Sequence, residues 1–272
     1  MSLSILNNIS ALQAENQLTI TTAAANKSLQ QLSSGSRINS GSDDAAGLAI
    51  SDGLNANVAA LNQSSLNATN AVGSLQTADG ALAQVTALLN RSITLATEAA
   101  STGLSTSQST AINTEFQALL TQIGNIGTST NFNGTAVFGS SVSAFTSDGS
   151  SGGTVSIGAT VAALTTTTLG LNSSTLTSSS SAATALTAIS AAIATVSAQR
   201  GTLGATVEQL QAASTVDTNE SQNLVSASSA ITSADISSVV AADTKYSILQ
   251  QTGISALQQA NQQAQTVLKL LQ

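Results

Sequence analysis

Along the first half of the chain, large apolar residues return at every seventh position: Leu54, Leu61, Ala68, Leu75, Leu82, Leu89 and Ala96. A second column runs through Val58, Ser65, Val72, Asp79, Thr86, Ile93 and Ala100. Alternating steps of three and four hold one narrow seam toward a partner, the pattern of a coiled-coil-like helix. At 1.5 Å per residue, a helix from about Ala45 to Ala100 is roughly 80 Å long, a rod rather than a globule. The second half repeats the device at Ile189, Val196, Leu203, Leu210, Asp217, Leu224 and Ile231, with Leu186, Ile193 and Val207 alongside. The 272 residues contain no proline, the residue that most directly breaks a helix interior. Asp217, Asp79 and Ser65 are out of character in these seams. Either they lie where the rods meet solvent or a neighbour, or they set register.

The remaining segments fill in around the rods. Leu3 to Leu32 carries apolar positions at helical spacing, and Ser101–Gly103 breaks the first rod. A shorter helix is expected from Thr110 to about Gly127, with Ile112, Phe116, Leu119, Leu120 and Ile123 on one side. Asn131-Phe-Asn-Gly134 is a turn signal, and one or two hairpins are expected between Val137 and Leu171. Ser233-Ala-Asp235 opens a last helix, whose seam continues through Gly253, Leu257, Ala260, Ala264, Val267 and Leu271. The predicted fold class is mainly α: an elongated antiparallel helical bundle of coiled-coil rods, with paired terminal helices and a small central β-hairpin insert.

Composition narrows the chemistry. Aromatics are 2% with no Trp, which suits thin helix-to-helix seams better than a spherical core. Charged residues are 7%, against about 25% in an average domain, so the exterior is covered by Ser, Thr, Asn and Gln. Six Lys plus Arg against 13 Asp plus Glu give −7, with no basic patch for nucleic acid or an acidic membrane. Without His or Cys the commonest general base, the thiol nucleophile and most transition-metal ligands are missing. The serines have no His to activate them, and Lys27, Lys245 and Lys269 lie on helix patterns. No catalysis, cofactor or metal is expected. The N-terminus carries no basic residue before Lys27 and no long apolar run, so no cleavable signal of the usual kind is expected. Nothing approaches 18 consecutive apolar residues, so no membrane span is expected.

One passage resists periodicity: LSSGSRINSGSDDAAGLAIS, from Leu32 to Ser51. Gly35 can end the first helix in a left-handed conformation, and Ser40 or Ser42 can cap the next. Asp43 and Asp44 then fall in a first turn, where negative charge suits the helix dipole, and Arg37 can pair with one of them. An acid/base or metal role lacks a second cluster of reacting groups beside it. The passage reads as a mechanical corner.

Its wording resembles the N-terminal signature of bacterial flagellin. The C-terminal SILQQTGISALQQANQQAQTVLKLLQ is similar to that family's end pattern. Gly41 stands where the family usually has Ala, which loosens the corner, and Ser42 where Lys is common. The resemblance implies a self-assembling structural subunit of the flagellar filament, used for motility. Its implied division is 1–40 as inner-tube helix and corner, 41–135 as rod helices, 136–181 as a short outward-facing variable insert, 182–234 as a second rod, and 235–272 as a second inner-tube helix. The weakly charged stripes Leu3–Leu32 and Leu249–Leu271 agree, since neither is stable alone but each can order on binding. A non-closing head-to-tail contact then gives an open helical polymer.

The assembly residues so implied are Leu6, Ile9, Leu29, Leu32, Arg37, Asn39, Asp43, Asp44, Leu48 and Ile50 at the N-terminal end. At the C-terminal end they are Leu249, Leu257, Ala264, Val267, Leu268 and Leu271. Implied partners are other copies of the chain, an export chaperone on the C-terminal stripe, and filament cap and hook-junction proteins. Export through a type III channel without a cleaved signal places the product outside the cell. The segment LNRSITLATEAA also resembles the region seen by the vertebrate Toll-like flagellin receptor. Arg91, Leu95 and Glu115 fall at the family's contact positions, while Ile93 and Thr94 replace a charged pair, implying weakened recognition. The many Ser and Thr of Ser140–Ser181 either carry O-linked sugars or form bare polar loops. The alternative is a hook–filament junction protein, which predicts a larger central domain. A metallopeptidase insert is impossible without His.

Overall fold

The computed structural model describes residues 8–149 and 153–270. In chain order the described residues form α1 (Ile9–Ser34), α2 (Ala45–Ala99), α3 (Thr106–Ser129), β1 (Asn131–Phe132), β2 (Thr135–Ala136), β3 (Ser140–Ser147), β4 (Thr154–Val161), α4 (Ser179–Thr232) and α5 (Ile236–Leu270). The fold is mainly α, as the heptads predict, with long helices and only small two-stranded sheets.

Local chemistry sets the boundaries. Asn8 accepts from the Ala11 amide at the start of α1, and Gly35, at φ 68°, closes it. α3 begins at Thr106, four residues before the expected Thr110, because Ser105 and Gln108 form a reciprocal capping box over a polar run that carries no apolar period. The first hairpin likewise starts earlier than expected, at Asn131. Asn133 and Gly134, at φ 49° and 78°, make its two-residue turn.

The chain divides into two compact units, each described by itself. The division falls within α2 and α4.

The larger unit, Ala56–Leu224, holds the core. On α2 the expected column is buried from Leu61 through Ala96. The second buried column, however, is Ser64, Ala71, Ala78, Val85, Ser92 and Ala99. The predicted one, from Val58 to Ala100, is only half-buried along its length. Small side chains let neighbouring elements lie close against α2. The Ser64 hydroxyl reaches the backbone of Ser147 on β3, and Phe132 occupies the space beside Gly73. α4 contributes Ile189, Val196, Leu203 and Leu210, and Phe116 of α3 is fully enclosed. Leu164 brings its backbone carbonyl into the space a side chain at Gly127 would fill, so α3 needs glycine there.

Two of the three polar seam residues bond across from α2 to α4, as a register-setting residue would. Ser65 hydrogen bonds Ser214 at 2.8 Å, and Arg200 grips both oxygens of Asp79 at 2.7 and 3.2 Å, joining α2 to α4. Asp217 differs. Its Oδ2 is buried without a hydrogen-bond partner, and burial, then Glu220, pushes its carboxyl up.

One 18-residue window of α4 has a mean hydropathy of 1.5, so by length and composition alone that helix is apolar enough to cross a membrane. Alanine raises the average while interspersed Ser and Thr prevent an uninterrupted run, and the apolar column Ile189, Val196, Leu203 and Leu210 is itself buried in the core.

The smaller unit, Met1–Asn55 with Val225–Gln272, pairs α1 with α5 antiparallel. Asn8 Nδ2 donates to the Ala260 carbonyl, and Leu18 packs on Gly253. The only fully buried apolar side chains among its described residues are Ala25 and Ile38.

Candidate assembly surface

The corner after α1 is built from backbone groups that helices leave unpaired. α4 ends at Thr232, and its last carbonyls need donors. The Arg37 amide donates to the Thr232 carbonyl, its guanidinium to the Ile231 carbonyl at 2.6 Å, and the Ser36 hydroxyl to Thr232. Arg37 therefore neutralises a helix C-terminus and does not pair with Asp43 or Asp44, as the sequence had led us to expect.

Asp43 is held instead by Lys27 of α1, at 2.7 Å. Its Oδ2 accepts the backbone amides of Asn39 and Ser40, both at 3.1 Å. The Lys27 hydrogen bond, then the Asn39 amide, lowers its carboxyl to about 2. Asp44, not Ser40 or Ser42, caps α2, its Oδ1 accepting from the Gly47 amide at 2.9 Å. Both acids precede the helix and lie outside its first turn. Gly47 is buried; a Cβ there would lie 2.5 Å from Asp44 Oδ2 and 2.8 Å from Ile38 Cδ1. Lys27, Ile38 and Gly47 are the members sequence reasoning missed. An Asp three residues before a Gly was the available signal, since a capping Asp bonds the amide at that spacing. Asn39 is half-buried, its side chain donating to the Ser36 carbonyl.

On α1 the apolar stripe splits. Leu18 and Ala25 turn toward α5 together with Ala11, Ala14, Thr21 and Ser28. Ile9 and Leu29 remain 59% and 51% exposed, and Leu12, Ile20 and Leu32 are exposed with them. On α5, Leu257 is half-buried while Leu249 is 40% exposed. Ile236, Val240, Ile248 and Ile254, which the sequence reading did not single out, are also uncovered. On α2, Ile50 is exposed and Leu48 half-buried. Leu6 and Leu271 lie outside the described residues, and the side chains of Ala264, Val267 and Leu268 lie outside the described ones.

In the larger unit, Arg91 and Glu115 form an exposed ion pair, with two guanidinium nitrogens on one carboxylate oxygen at 2.6 and 2.9 Å. Leu95, expected beside them at the surface, is 2% exposed and belongs to the core. Its place on the heptad-facing side of α2 takes it inward. Among the described residues no group of His, Cys, Asp and Glu could hold a metal.

Residues 5–143 match the bacterial flagellin N-terminal helical region, and residues 186–271 match the bacterial flagellin C-terminal helical region. A flagellin of Halalkalibacterium halodurans is 33% identical over 269 residues, which is 98% of this chain and 99% of that protein. Flagellin A of Vibrio cholerae is 40% identical over 134 residues, 49% of this chain but 35% of its own length. The crystal structure of Bacillus cereus flagellin is 26% identical, with a TM-score of 0.49 over 56% of this chain and 88% of that one. With both helical regions matched and one relative aligned end to end, the chain belongs to the bacterial flagellin family.

Proposed function

We propose that this chain, a structural subunit of the flagellar filament that polymerises with its own kind, assembles through the outer faces of α1 and α5. One observation carries this reading: most of the large apolar side chains of the α1–α5 pair point away from it. Ile9, Ile20, Leu29, Ile248 and Ile254 are each about half exposed or more, while the pair's inner face is made mostly of small and polar residues. Burying apolar area contributes about 25 cal/mol per Å², and only further copies supply cover that repeats along a filament. The Arg37–Lys27–Asp43–Asp44 corner would hold the angle at which α1 leaves α2. In this proposal 1–40 and 235–272 line the inner tube, 41–135 and 182–234 form the rods, and 136–181 faces outward.

An export chaperone would cover the α5 stripe before secretion without signal cleavage, and cap and hook-junction proteins would meet the filament ends. The Toll-like receptor, if it reads this chain, would read the exposed Arg91–Glu115 pair, with Leu95 withdrawn. The hook–filament junction reading is not favoured.

The test is seeded assembly followed by turbidity and negative-stain microscopy. The full chain should elongate seeds into filaments, and a chain lacking residues 236–272 should not. Elongation by the truncated chain would refute the reading.

A further inference from the structure

We propose that the outer edge of β3 is a strand-addition site for an extended, uncharged segment of a partner polypeptide. The site is built from elements of the larger unit and does not depend on the role of the α1–α5 stripes.

The argument starts from hydrogen-bond parity. β3 and β4 pair antiparallel with Val142 opposite Ala159 and Ala144 opposite Ile157, and the Asp148 amide continues the ladder to Gly153. In such a ladder alternate residues turn both main-chain groups to the partner, and the residues between turn theirs outward. Even-numbered residues of β3 therefore face β4, and Ser141, Ser143, Phe145 and Ser147 face away from it.

Contacts from α2 and α4 confirm the parity independently. Ser64 of α2 both donates to the Ser147 carbonyl and accepts from its amide, at 2.9 and 2.7 Å. Asn67 donates to the Phe145 carbonyl at 3.1 Å. On the other edge, Gln199 of α4 donates to the Thr160 carbonyl at 3.1 Å. The protein thus caps the tip half of the β3 edge with helix side chains. The base half, Ser141 and Ser143, consists of exposed residues whose outward main-chain groups have no hydrogen-bond partner among the described residues. An open edge of this kind is a template for another strand.

The space beside it has the right shape. A groove of about 790 Å³ runs between β3, the β1–β2 turn and α2. Asn70 and Ser74 continue on α2 the line begun by Ser64 and Asn67, and line the groove opposite the open edge. A strand laid there would meet β3 main chain on one side and amide and hydroxyl groups on the other.

Charge selects the occupant. No lining residue is charged, and α2 carries no Asp, Glu, Lys or Arg from Gly53 through Ala78. A charged strand would lose water there without gaining a counterion. The exposed ring of Phe145 and the half-buried ring of Phe132 add apolar surface, favouring a segment of small polar and apolar residues.

The experiment is hydrogen–deuterium exchange on the full-length, unseeded chain, with the probe acetyl-Thr-Val-Ser-Val-Ser-amide at millimolar concentration. The Ser141 and Ser143 amides should slow by about tenfold or more, the scale of one to two net hydrogen bonds. The same probe with its inward amides N-methylated should protect nothing, a control that leaves the protein unaltered. Ser143→Pro removes only an outward donor and spares the ladder to β4; it should weaken probe binding about tenfold. A probe with Lys or Asp at the serine positions should also bind about tenfold less well. No protection by the probe, or protection that survives N-methylation, overturns the proposal. Equal binding of charged probes overturns its choice of occupant. So does protection that rises with protein concentration in the absence of probe, which would make a second copy the occupant.

Discussion

Three glycines within thirteen residues of α2 and its lead-in provide a matched set whose alanine substitutions should differ in sign. Gly53 lies in α2 with nothing near the position of an added Cβ. Ala there gains helix propensity alone, about 0.5–1 kcal/mol. Gly47 would receive the same gain, but its Cβ would fall 2.5 Å from Asp44 Oδ2 and 2.8 Å from Ile38 Cδ1. Relief requires Asp44 to swing away, releasing the Gly47 amide, a capping loss of about 1 kcal/mol. It also requires Ile38, 6% exposed, to shift against its neighbours, an overpacking cost of about 1–3 kcal/mol. Gly47→Ala should therefore be net destabilising by about 1–3 kcal/mol, and about 2–4 kcal/mol worse than Gly53→Ala. Gly41 is the third case. Its nearest atom would be Leu48 Cδ2 at an ordinary 3.8 Å, and its φ is not positive, so Ala should stabilise by about 0.4–1 kcal/mol through the unfolded state. Exchange of the amides between residues 38 and 55 reads these differences directly, since about 1.4 kcal/mol changes local opening tenfold. Gly47→Ala should accelerate exchange about tenfold or more, while the other two slow it. If Gly47→Ala protects the segment as well as Gly53→Ala does, the packing of Asp44 and Ile38 against that position is wrong, and with it the account of the corner.

The two perturbed carboxylates predict opposite responses to acid. Asp43 is held at about 2 by Lys27 and the Asn39 amide. The stability it contributes is complete above the ordinary value of 3.8 and fades as pH falls through about 2. Exchange at the corner should accelerate between pH 4 and 2, and Asp43→Asn should make it insensitive there, with no loss of α2 helix by circular dichroism at pH 7. Asp217 is raised by burial and by Glu220, so its ionised form is a penalty that is complete above its folded value and relieved as pH falls toward 3.8. Asp217→Asn should stabilise the larger unit at pH 7 by roughly 0.5–1 kcal/mol, discounted for its partial exposure, and abolish this relief in pH-dependent urea melts. Gly127→Ala places a side chain where the Leu164 carbonyl sits; it should cost about 1–3 kcal/mol, read as a lower urea midpoint with unchanged helix content.

What the sequence could and could not say follows from what periodicity measures. The column Leu61 to Ala96 was legible because large aliphatic residues at strict sevenfold spacing have one explanation. The companion column from Ser64 to Ala99 was not, although it is buried just as deeply. Its members are small, and small residues are favoured inside by close approach of a neighbour rather than by their own hydrophobicity. A hydrophobic count therefore passed them over for Val58, Val72 and Ile93. The corner shows the same limit at shorter range. Gly35 and the acidic pair were legible as punctuation, but Lys27 and the α4 carbonyls are brought to them by tertiary structure alone, and the Arg37 pairing expected from proximity lost to them.

The terminal helices turn this limit into an argument about assembly. A helical period identifies an apolar stripe but cannot say which of its residues will meet a partner inside the chain. In the structure the stripe divides, with all but Leu18 of its larger described members left outside. Leu18 fits on Gly253, and Ala25, Thr21 and Ser28 allow the two helices to close, while Ile9, Leu12, Ile20 and Leu29 are left outside. A chain whose end point was the lone molecule would place its bulk where the two helices meet, because each large side chain buried there contributes about 1.5–3 kcal/mol. Here the in-chain contact is made mostly by small and polar residues, with Leu18, Val239, Tyr246 and Leu257 the larger members, and most of the bulk lies on the far side. That distribution is uneconomical for a monomer and sensible for a subunit whose helices are covered mostly by other copies of themselves.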